Sequence, residues 1–312
     1  MLKALRTHKA ADTEQIWKVL KRTSLRKTLR FGVAFVRHLP ALMPLLLARR
    51  GSNLRRLVNT RPEIFRIVLT SYMAAGWNTR TRITRLIDHY NTAAKIGGLV
   101  DAPPDLLVDV IHLAPIDMRY RITLDQPHWL MREGPLVMGL FDGVHRIFHL
   151  GFCLATENGR RVAYIGSVQG RREVDRYNIK LDILDHYRIF TKAAEGMRPR
   201  DFLVEAFKMF CRSVGVDEIR AVADANHPQR QTVGDVKLSY DEIWIERGGE
   251  LAADGFFVLP VAAGRRDDKD IPAKKRAMYA RRYAILDAIE TDLAAALKAR
   301  VDWSSETARM AA

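Results

Sequence analysis

Two runs and a short third one decide the fold. They are Arg161-Val-Ala-Tyr-Ile-Gly-Ser-Val-Gln-Gly-Arg-Arg172, Gly196-Met-Arg-Pro-Arg-Asp-Phe-Leu-Val-Glu-Ala-Phe-Lys-Met-Phe-Cys-Arg-Ser-Val214, and Glu218-Ile-Arg-Ala-Val-Ala223. Residues 162–168 are apolar and rich in β-branched and aromatic groups, and they break at Gln169-Gly170-Arg171-Arg172, which predicts a strand running into a loop. Leu203, Ala206, Phe207, Phe210, Cys211 and Val214 recur at i, i+3, i+4 and i+7 spacing, so a helix with one apolar face is expected over 201–214. Pro199 fits the first turn of that helix, and Asp201 and Glu205 meet the positive end of its dipole. A strand, a loop, a helix amino terminus and a second strand at 218–223 make the loop-to-helix junction a ready anion site, because the first N–H groups of a helix have no partner within it.

Upstream, residues 118–124 alternate, 135–141 are apolar and 147–156 are rich in aromatic and β-branched groups, with turns at Glu133-Gly134, Asp142-Gly143 and Glu157-Asn-Gly159. With 162–168 they predict a meander of four strands. Downstream, a loop runs from Asp224 through His227 to Gln231 and a short helix covers 239–246, ending at Gly248-Gly249. A strand at 255–260 follows, and then a long amphipathic helix over 276–299 with Ile285, Leu286, Ile289, Leu293 and Leu297 inside.

The N-terminal part reads as helical. Helices are expected over 13–30, 62–75 and 80–96, the last stopped by Gly97-Gly98, and a short one over 105–112 after Ala102-Pro-Pro104. Residues 31–47 are the most apolar run, but Arg37-His38, Pro40 and Pro44 interrupt it and it is too short for a convincing membrane span. A buried helix pair and an interfacial helix resting on lipid both remain open for it. No secretory signal is expected, since the run begins some thirty residues in and lacks a cleavage pattern. The expected division is a basic helical region over 1–112 and an α+β domain over 113–312.

The 312 residues carry a formal charge of +15, unevenly spread. Residues 1–60 hold fourteen Lys and Arg against Asp12 and Glu14, and residues 265–282 hold eight against Asp267, Asp268 and Asp270. Segregation of this kind points to an anionic partner: an anionic membrane surface, a phosphate-bearing donor, or tRNA. The two cysteines, Cys153 and Cys211, stand in apolar surroundings and read as buried thiols of a reducing compartment. No C-x-x-C, H-E-x-x-H or clustered metal-ligand set is present, so no metal cofactor is expected.

The strand order is similar to that of the GNAT acyltransferase superfamily, in which the helix after the fourth strand presents its amino terminus to the pyrophosphate of coenzyme A. This resemblance implies a GNAT-like, mostly antiparallel mixed sheet with flanking helices. Two departures stand out: the Gln/Arg-x-x-Gly-x-Gly/Ala phosphate loop is absent, and Trp244 occupies the place of the tyrosine often used as general acid. The chain also resembles the VirK/YbjX family of Gram-negative bacteria. That resemblance is carried by Ile165-Gly-Ser-Val-Gln-Gly170, Thr191-Lys192, Gly196-Met-Arg-Pro199, His227, Ser239-Tyr-Asp-Glu-Ile-Trp244, Leu259-Pro260 and Lys274-Lys-Arg-Ala-Met-Tyr-Ala-Arg-Arg-Tyr283. It spans roughly residues 60–295 and implies a link to virulence, outer-surface protein display and resistance to cationic antimicrobial peptides.

The candidate site residues follow from these positions. Lys192, Arg198 and Arg200 would clamp a phosphate or carboxylate at the helix start; solvated arginines near a cap are the plainer reading. Gln169, Gly170 and Arg171 follow the strand, with Gly170 serving either a ligand or only a tight turn. His227, beside Asp224 and Asn226, is the candidate general base, with Tyr240 and Asp241 as further catalytic candidates; a turn histidine and an ordinary helix cap are the plainer readings. Trp244 is either a substrate contact or core. The expected function is an acyl- or aminoacyl-transferase acting on an amine or hydroxyl of an anionic, envelope-linked substrate, with acyl-CoA, acyl carrier protein or aminoacyl-tRNA as donor. The alternative is a non-enzymatic accessory protein that binds anionic lipid or a protein partner. The expected location is the cytoplasm, with peripheral attachment to the inner membrane.

Overall fold

The computed structural model describes residues 25–174, 180–228, 239–301 and 303. An eight-stranded sheet with strand order β1-β2-β3-β4-β5-β6-β8-β7 forms its centre. The strands are β1 (Val108–His112), β2 (Tyr120–Asp125), β3 (Leu136–Asp142), β4 (His145–Glu157), β5 (Arg160–Gly170), β6 (Glu218–Val222), β7 (Glu250–Leu251) and β8 (Phe256–Leu259). All neighbours run antiparallel except β5 and β6, which pair in parallel. The protein is therefore α+β with a mostly antiparallel sheet.

The helices are α1 (Leu25–Arg37), α2 (Leu39–Leu46), α3 (Asn53–Thr60), α4 (Thr79–Ile96), α5 (Ile183–Ala193), α6 (Pro199–Ser213), α7 (Tyr240–Ile245) and α8 (Ala273–Lys298). Strand alternation assigns them to faces. Phe152 of β4 points to α6, with its ring 4.8 Å from Phe207 and 5.3 Å from Phe210. Its neighbours Cys153 and Leu154 contact α4, where the Leu154 N–H donates to His89 Nδ1 at 3.1 Å and burial pushes the His89 pKa down to about 3. Both cysteines are free and buried. One continuous core runs from Leu42 and Leu45 of α2 through the sheet to Ile289, Leu293 and Leu297 of α8.

Several expectations are corrected. Residues 105–112 contain a strand instead of a helix: Val108 and Val110 are buried, Asp109 between them is exposed, and Val108 pairs with Leu124. The meander therefore has five strands. Residues 62–75 form only a 3₁₀ turn, Pro62–Val68, before the chain turns away. The loop expected between the strand at 162–168 and the helix at 201–214 contains α5, capped by Asp182, whose side chain accepts from the Asp185 N–H. The expected helix over 13–30 lies largely outside the described residues, and α1 and α2 meet at an 86° bend at His38. Among the described residues no single helix is long and apolar enough to cross a membrane.

One irregularity in the sheet shapes the site. Gly151 of β4 pairs with Ser167, but the next residue, Phe152, pairs with Ile165, so Gly166 is an extra residue in β5. A bulge bends its strand and raises the local twist. The parallel pairing of β5 with β6 stops there, at Ile165 and Ala221, and β5 runs on to Gly170 without β6 beside it.

Candidate functional site

The bend in β5 leaves two different environments on its two faces. Gly170 faces a cavity of about 690 Å³, walled by Phe148, Tyr187 and Thr191 and rimmed by Arg188, Lys192, Gly196, Arg198, Pro199 and Arg200. Among the described residues no acidic side chain lines it. Gly170 is needed for this arrangement, because a Cβ there would run into the Tyr187 hydroxyl and lie 2.9 Å from the Phe148 ring. The Tyr187 hydroxyl donates to the Ile147 carbonyl at 3.1 Å, and burial pushes its pKa up to about 12, so it remains a neutral phenol.

The basic rim is built by short-range chain geometry. Arg198 is the N-cap of α6 and Pro199 its first residue, and the Arg198 side chain makes no capping bond. The N–H groups of Arg200 and Asp201 lie in the first turn, ahead of the first intrahelical bond from Phe202 to the Arg198 carbonyl, at the positive end of a fifteen-residue helix. Arg200 is held by Asp201 at 3.0 Å and Glu246 at 3.3 Å, while Lys192 and Arg198 make no ion pair with any described residue. The tight turn between α5 and α6 puts Glu195 (φ 51°) and Gly196 (φ 81°) in the left-handed region. Two arginines of α8 hold it: Arg281 chelates the Glu195 carboxylate at 3.0 and 2.9 Å, and Arg282 donates to the Glu195 carbonyl at 3.1 and 2.7 Å. Part of the basic cluster at 265–282 thus supports the cavity wall. The other end of α5 is fastened by His186, whose Nδ1 lies 2.6 Å from Asp142, which also takes two bonds from Arg119 at 2.7 and 2.5 Å.

The opposite face of β5 carries a buried polar chain. Gln169 donates to Glu133 Oε2 at 3.0 Å and lies 3.4 Å from the Tyr240 hydroxyl, which also accepts from the Val168 N–H at 3.3 Å. The ring of His227 meets that of Tyr240 edge to face at 5.3 Å. His227, Tyr240 and Glu133 are 3%, 3% and 2% exposed. Burial pushes the Glu133 pKa up, partly offset by the Ser167 hydroxyl, Arg132 and Gln169. The chain lies in the gap where β5 and β6 have parted, so Tyr240 takes a strand-edge amide that β6 would otherwise bond.

A family model described as "Protein of unknown function (DUF535)" matches residues 21–295, which include the cavity and the buried chain. The chain belongs to the DUF535 family. The uncharacterized protein YbjX of Escherichia coli (strain K12) is 31% identical over 254 residues, covering 78% of this chain and 74% of that protein. An uncharacterized protein of Haemophilus influenzae is 35% identical over 228 residues, covering 72% and 75%, and a second from that organism is 34% identical over 99 residues, covering 31% and 33%. The relationship to YbjX expected from the sequence motifs is therefore shown. No solved structure gives a significant match.

In this DUF535 chain the expected site residues separate into three sets. Gly170, Lys192, Arg198 and Arg200 come together around the cavity. Gln169, His227 and Tyr240 share the buried chain on the other face, so the consecutive Gln169 and Gly170 serve different environments. Arg171 extends the strand pairing through its N–H to the Ile147 carbonyl at 3.0 Å and does not line the cavity. Asp241 has a structural task, accepting from the Asp224 N–H at 2.7 Å, while Asp224 in turn accepts from Ser239 and from the Tyr240 N–H. Trp244 as a substrate contact is corrected: it is 0% exposed and its indole N–H donates to the Val222 carbonyl at 2.9 Å, so it is core.

Two further residues shape the site. Tyr187 sits on the unexpected helix α5, which the Asp182-x-x-Asp185 capping pattern signals. Glu133 reads locally as half of a Glu-Gly turn. It is buried because its backbone lies against two glycines of the sheet: a Cβ at Gly166 would overlap the Glu133 carbonyl, and one at Gly151 would come within 3.2 Å of it.

Proposed function

We propose that this protein binds a phosphate-bearing donor in the cavity between α5, α6 and the end of β5, and transfers an acyl or aminoacyl group from it to an amine or hydroxyl. The observation that carries the proposal is the rim: Arg188, Lys192, Arg198 and Arg200 at the start of α6, with no acidic lining residue among the described residues. Cationic donors converging on a helix amino terminus suit phosphate oxygens, and the Phe148 and Tyr187 rings suit an adjoining flat or apolar group. A meander followed by crossover helices and one parallel neighbour, β6, supports a GNAT-like plan with the donor phosphate at α6.

In this reading the acceptor nitrogen or oxygen attacks the donor's carbonyl carbon and gives its proton to His227. The bond from that carbon to the carrier's sulfur or oxygen then breaks, and the carrier leaves with the proton returned by the imidazolium. Tyr240 orients the imidazole, and Glu133 acts through Gln169 to fix Tyr240.

The experiment is a thermal-shift series with coenzyme A, acyl-CoAs, acyl carrier protein and aminoacyl-tRNA. A donor present at a hundred times its Kd stabilises the folded state by about 2.7 kcal/mol. A shift with one donor class that Arg198→Ala/Arg200→Ala abolishes supports the reading; a folded protein that no phosphate-bearing donor stabilises refutes it.

A further inference from the structure

The first two described helices present a surface that the transfer chemistry does not use. Helix α1 is three-sided. Phe31 is buried and Phe35 packs against Phe65 with ring centroids 5.8 Å apart, which fixes the inner side. Leu29, Val33 and Val36, at i, i+4 and i+7, form a strip on the outer side and are 69%, 63% and 69% exposed. At 100° per residue, Arg26, Arg30 and Arg37 fall on a second strip directly beside it. Beyond the bend, Leu39, Met43 and Leu47 are also exposed, while Leu42 and Leu45 of the same helix are buried. No acidic residue occurs between Glu14 and Glu63.

We propose that the outer face of α1 and α2 docks the protein on an anionic lipid bilayer, with Leu29, Val33 and Val36 entering the acyl–headgroup boundary and Arg26, Arg30 and Arg37 meeting lipid phosphates. An apolar strip beside a basic strip is what an in-plane helix needs, since one part gains by leaving water and the other by meeting negative headgroups. Charge complementarity selects this occupant. Residues 1–24 carry six Lys and Arg against two acids, so folding them onto α1 sets positive charge against positive charge, as does a second copy of the chain. A bilayer-crossing path does not fit, because Phe31, Leu42 and Leu45 are committed to the protein core and Arg37-His38 lie at the bend. The proposal is independent of the transferase reading, since none of these residues touches the cavity or the buried chain.

The full-length protein is sedimented with vesicles of phosphatidylglycerol and phosphatidylcholine, and with vesicles of phosphatidylcholine alone. Binding to the first and not the second is expected, weakening as salt rises. Leu29→Ser/Val33→Ser/Val36→Ser, which leaves the charge unchanged, lowers the partition at least about tenfold, and Arg26→Gln/Arg30→Gln/Arg37→Gln lowers it similarly. Insertion is read directly by Val33→Cys carrying an environment-sensitive dye, because Cys153 and Cys211 are buried and resist labelling. The dye's emission shifts to the blue on anionic vesicles only. Wild-type binding by the serine variant, equal binding to both vesicle types, or a dye already shielded without vesicles would each overturn the proposal, the last by showing that the chain itself or a second copy covers the strip. The labelled variant decides the matter where a triple variant does not fold.

Discussion

Replacing Arg198 and Arg200 with alanine is the most direct perturbation of the cavity, and the structure sets different weights for the two. Arg198 makes no ion pair with any described residue, so its charge is free for a ligand and its loss should leave folding stability within about 0.5 kcal/mol. Arg200 shares its charge with Asp201 at 3.0 Å and Glu246 at 3.3 Å, so its removal costs stability at most about 1 kcal/mol and its share in binding is the smaller. A charge-assisted bond to phosphate contributes roughly 1.5–3 kcal/mol, with Arg198 at the upper end and Arg200 at the lower. The double variant should therefore lose about 4 kcal/mol of affinity, close to a thousandfold in Kd.

Isothermal titration with coenzyme A and with inorganic pyrophosphate, at 0.15 M salt where the Debye length is about 8 Å, measures this loss on contacts instead of on the protein's general positive charge. Arg160→Ala serves as the control: this arginine is 61% exposed, pairs with Glu218 at 3.4 Å and lies at the far end of β5. Equal loss in the control and the double variant would reduce the site to bulk charge. An unfolded double variant would show that the two arginines support the turn into α6 instead of a ligand. Unchanged pyrophosphate binding would remove the phosphate site altogether.

Three further outcomes are expected. Burial acts to raise the Asp142 pKa, but the hydrogen bonds from Arg119 and His186 outweigh it and the pKa falls; its stability contribution is therefore complete above about pH 4 and lost as pH drops through the lower folded value. Asp142→Asn should lower stability at pH 7 by about 2 kcal/mol and flatten the acid limb of a thermal-unfolding series, and an unchanged acid limb would show that Asp142 does not fasten α5. Glu133 has the opposite sign: its raised pKa costs stability as pH climbs from about 4 through the folded value, so the advantage of Glu133→Gln over wild type should grow across that range, and a pH-independent difference in urea unfolding would contradict the burial argument. Gly166→Ala drives a Cβ into the Glu133 carbonyl and should cost about 3 kcal/mol or more by urea unfolding, whereas near-wild-type stability would mean that the Glu133 turn can move away freely.

What the sequence disclosed depended on the range of the forces involved. The start of α6 was legible because proline, dipole and charge act within one turn, and the residues expected there do line one cavity. Helix α6 itself runs 199–213 against an expected 201–214, since its apolar face repeats over four turns. By contrast, Leu106, Leu107, Val108, Val110 and Ile111 make too short an apolar run to separate helix from strand by period, and pairing with β2 decided it. Helix α5 escaped notice because its apolar side is thin: only Ile183 and Phe190 are buried, and Leu184 is 73% exposed. The burial of Glu133 and Trp244 depends on parts of the chain that meet only in the folded protein, which no local pattern records.

The bulge at Gly166 connects the cavity with the buried polar chain. Without the extra residue, alternation along β5 would continue in register with β4, and β6 could stay hydrogen-bonded beyond Ile165. Glycine is required at that point for steric reasons, because the Glu133 turn lies directly on it. Once β5 leaves β6, the strand edge at Val168 needs a new partner, and the hydroxyl of Tyr240 supplies it. Gln169 then reaches Glu133 and Tyr240 from one face while Gly170, one residue on, forms the floor of the basic cavity on the other. A ligand seated against Gly170 therefore presses on the same two peptide units that position Tyr240. Gln169 and Gly170 are consecutive, so the cavity proposed for the phosphate and the buried chain of Tyr240 and His227 meet at one peptide unit of β5.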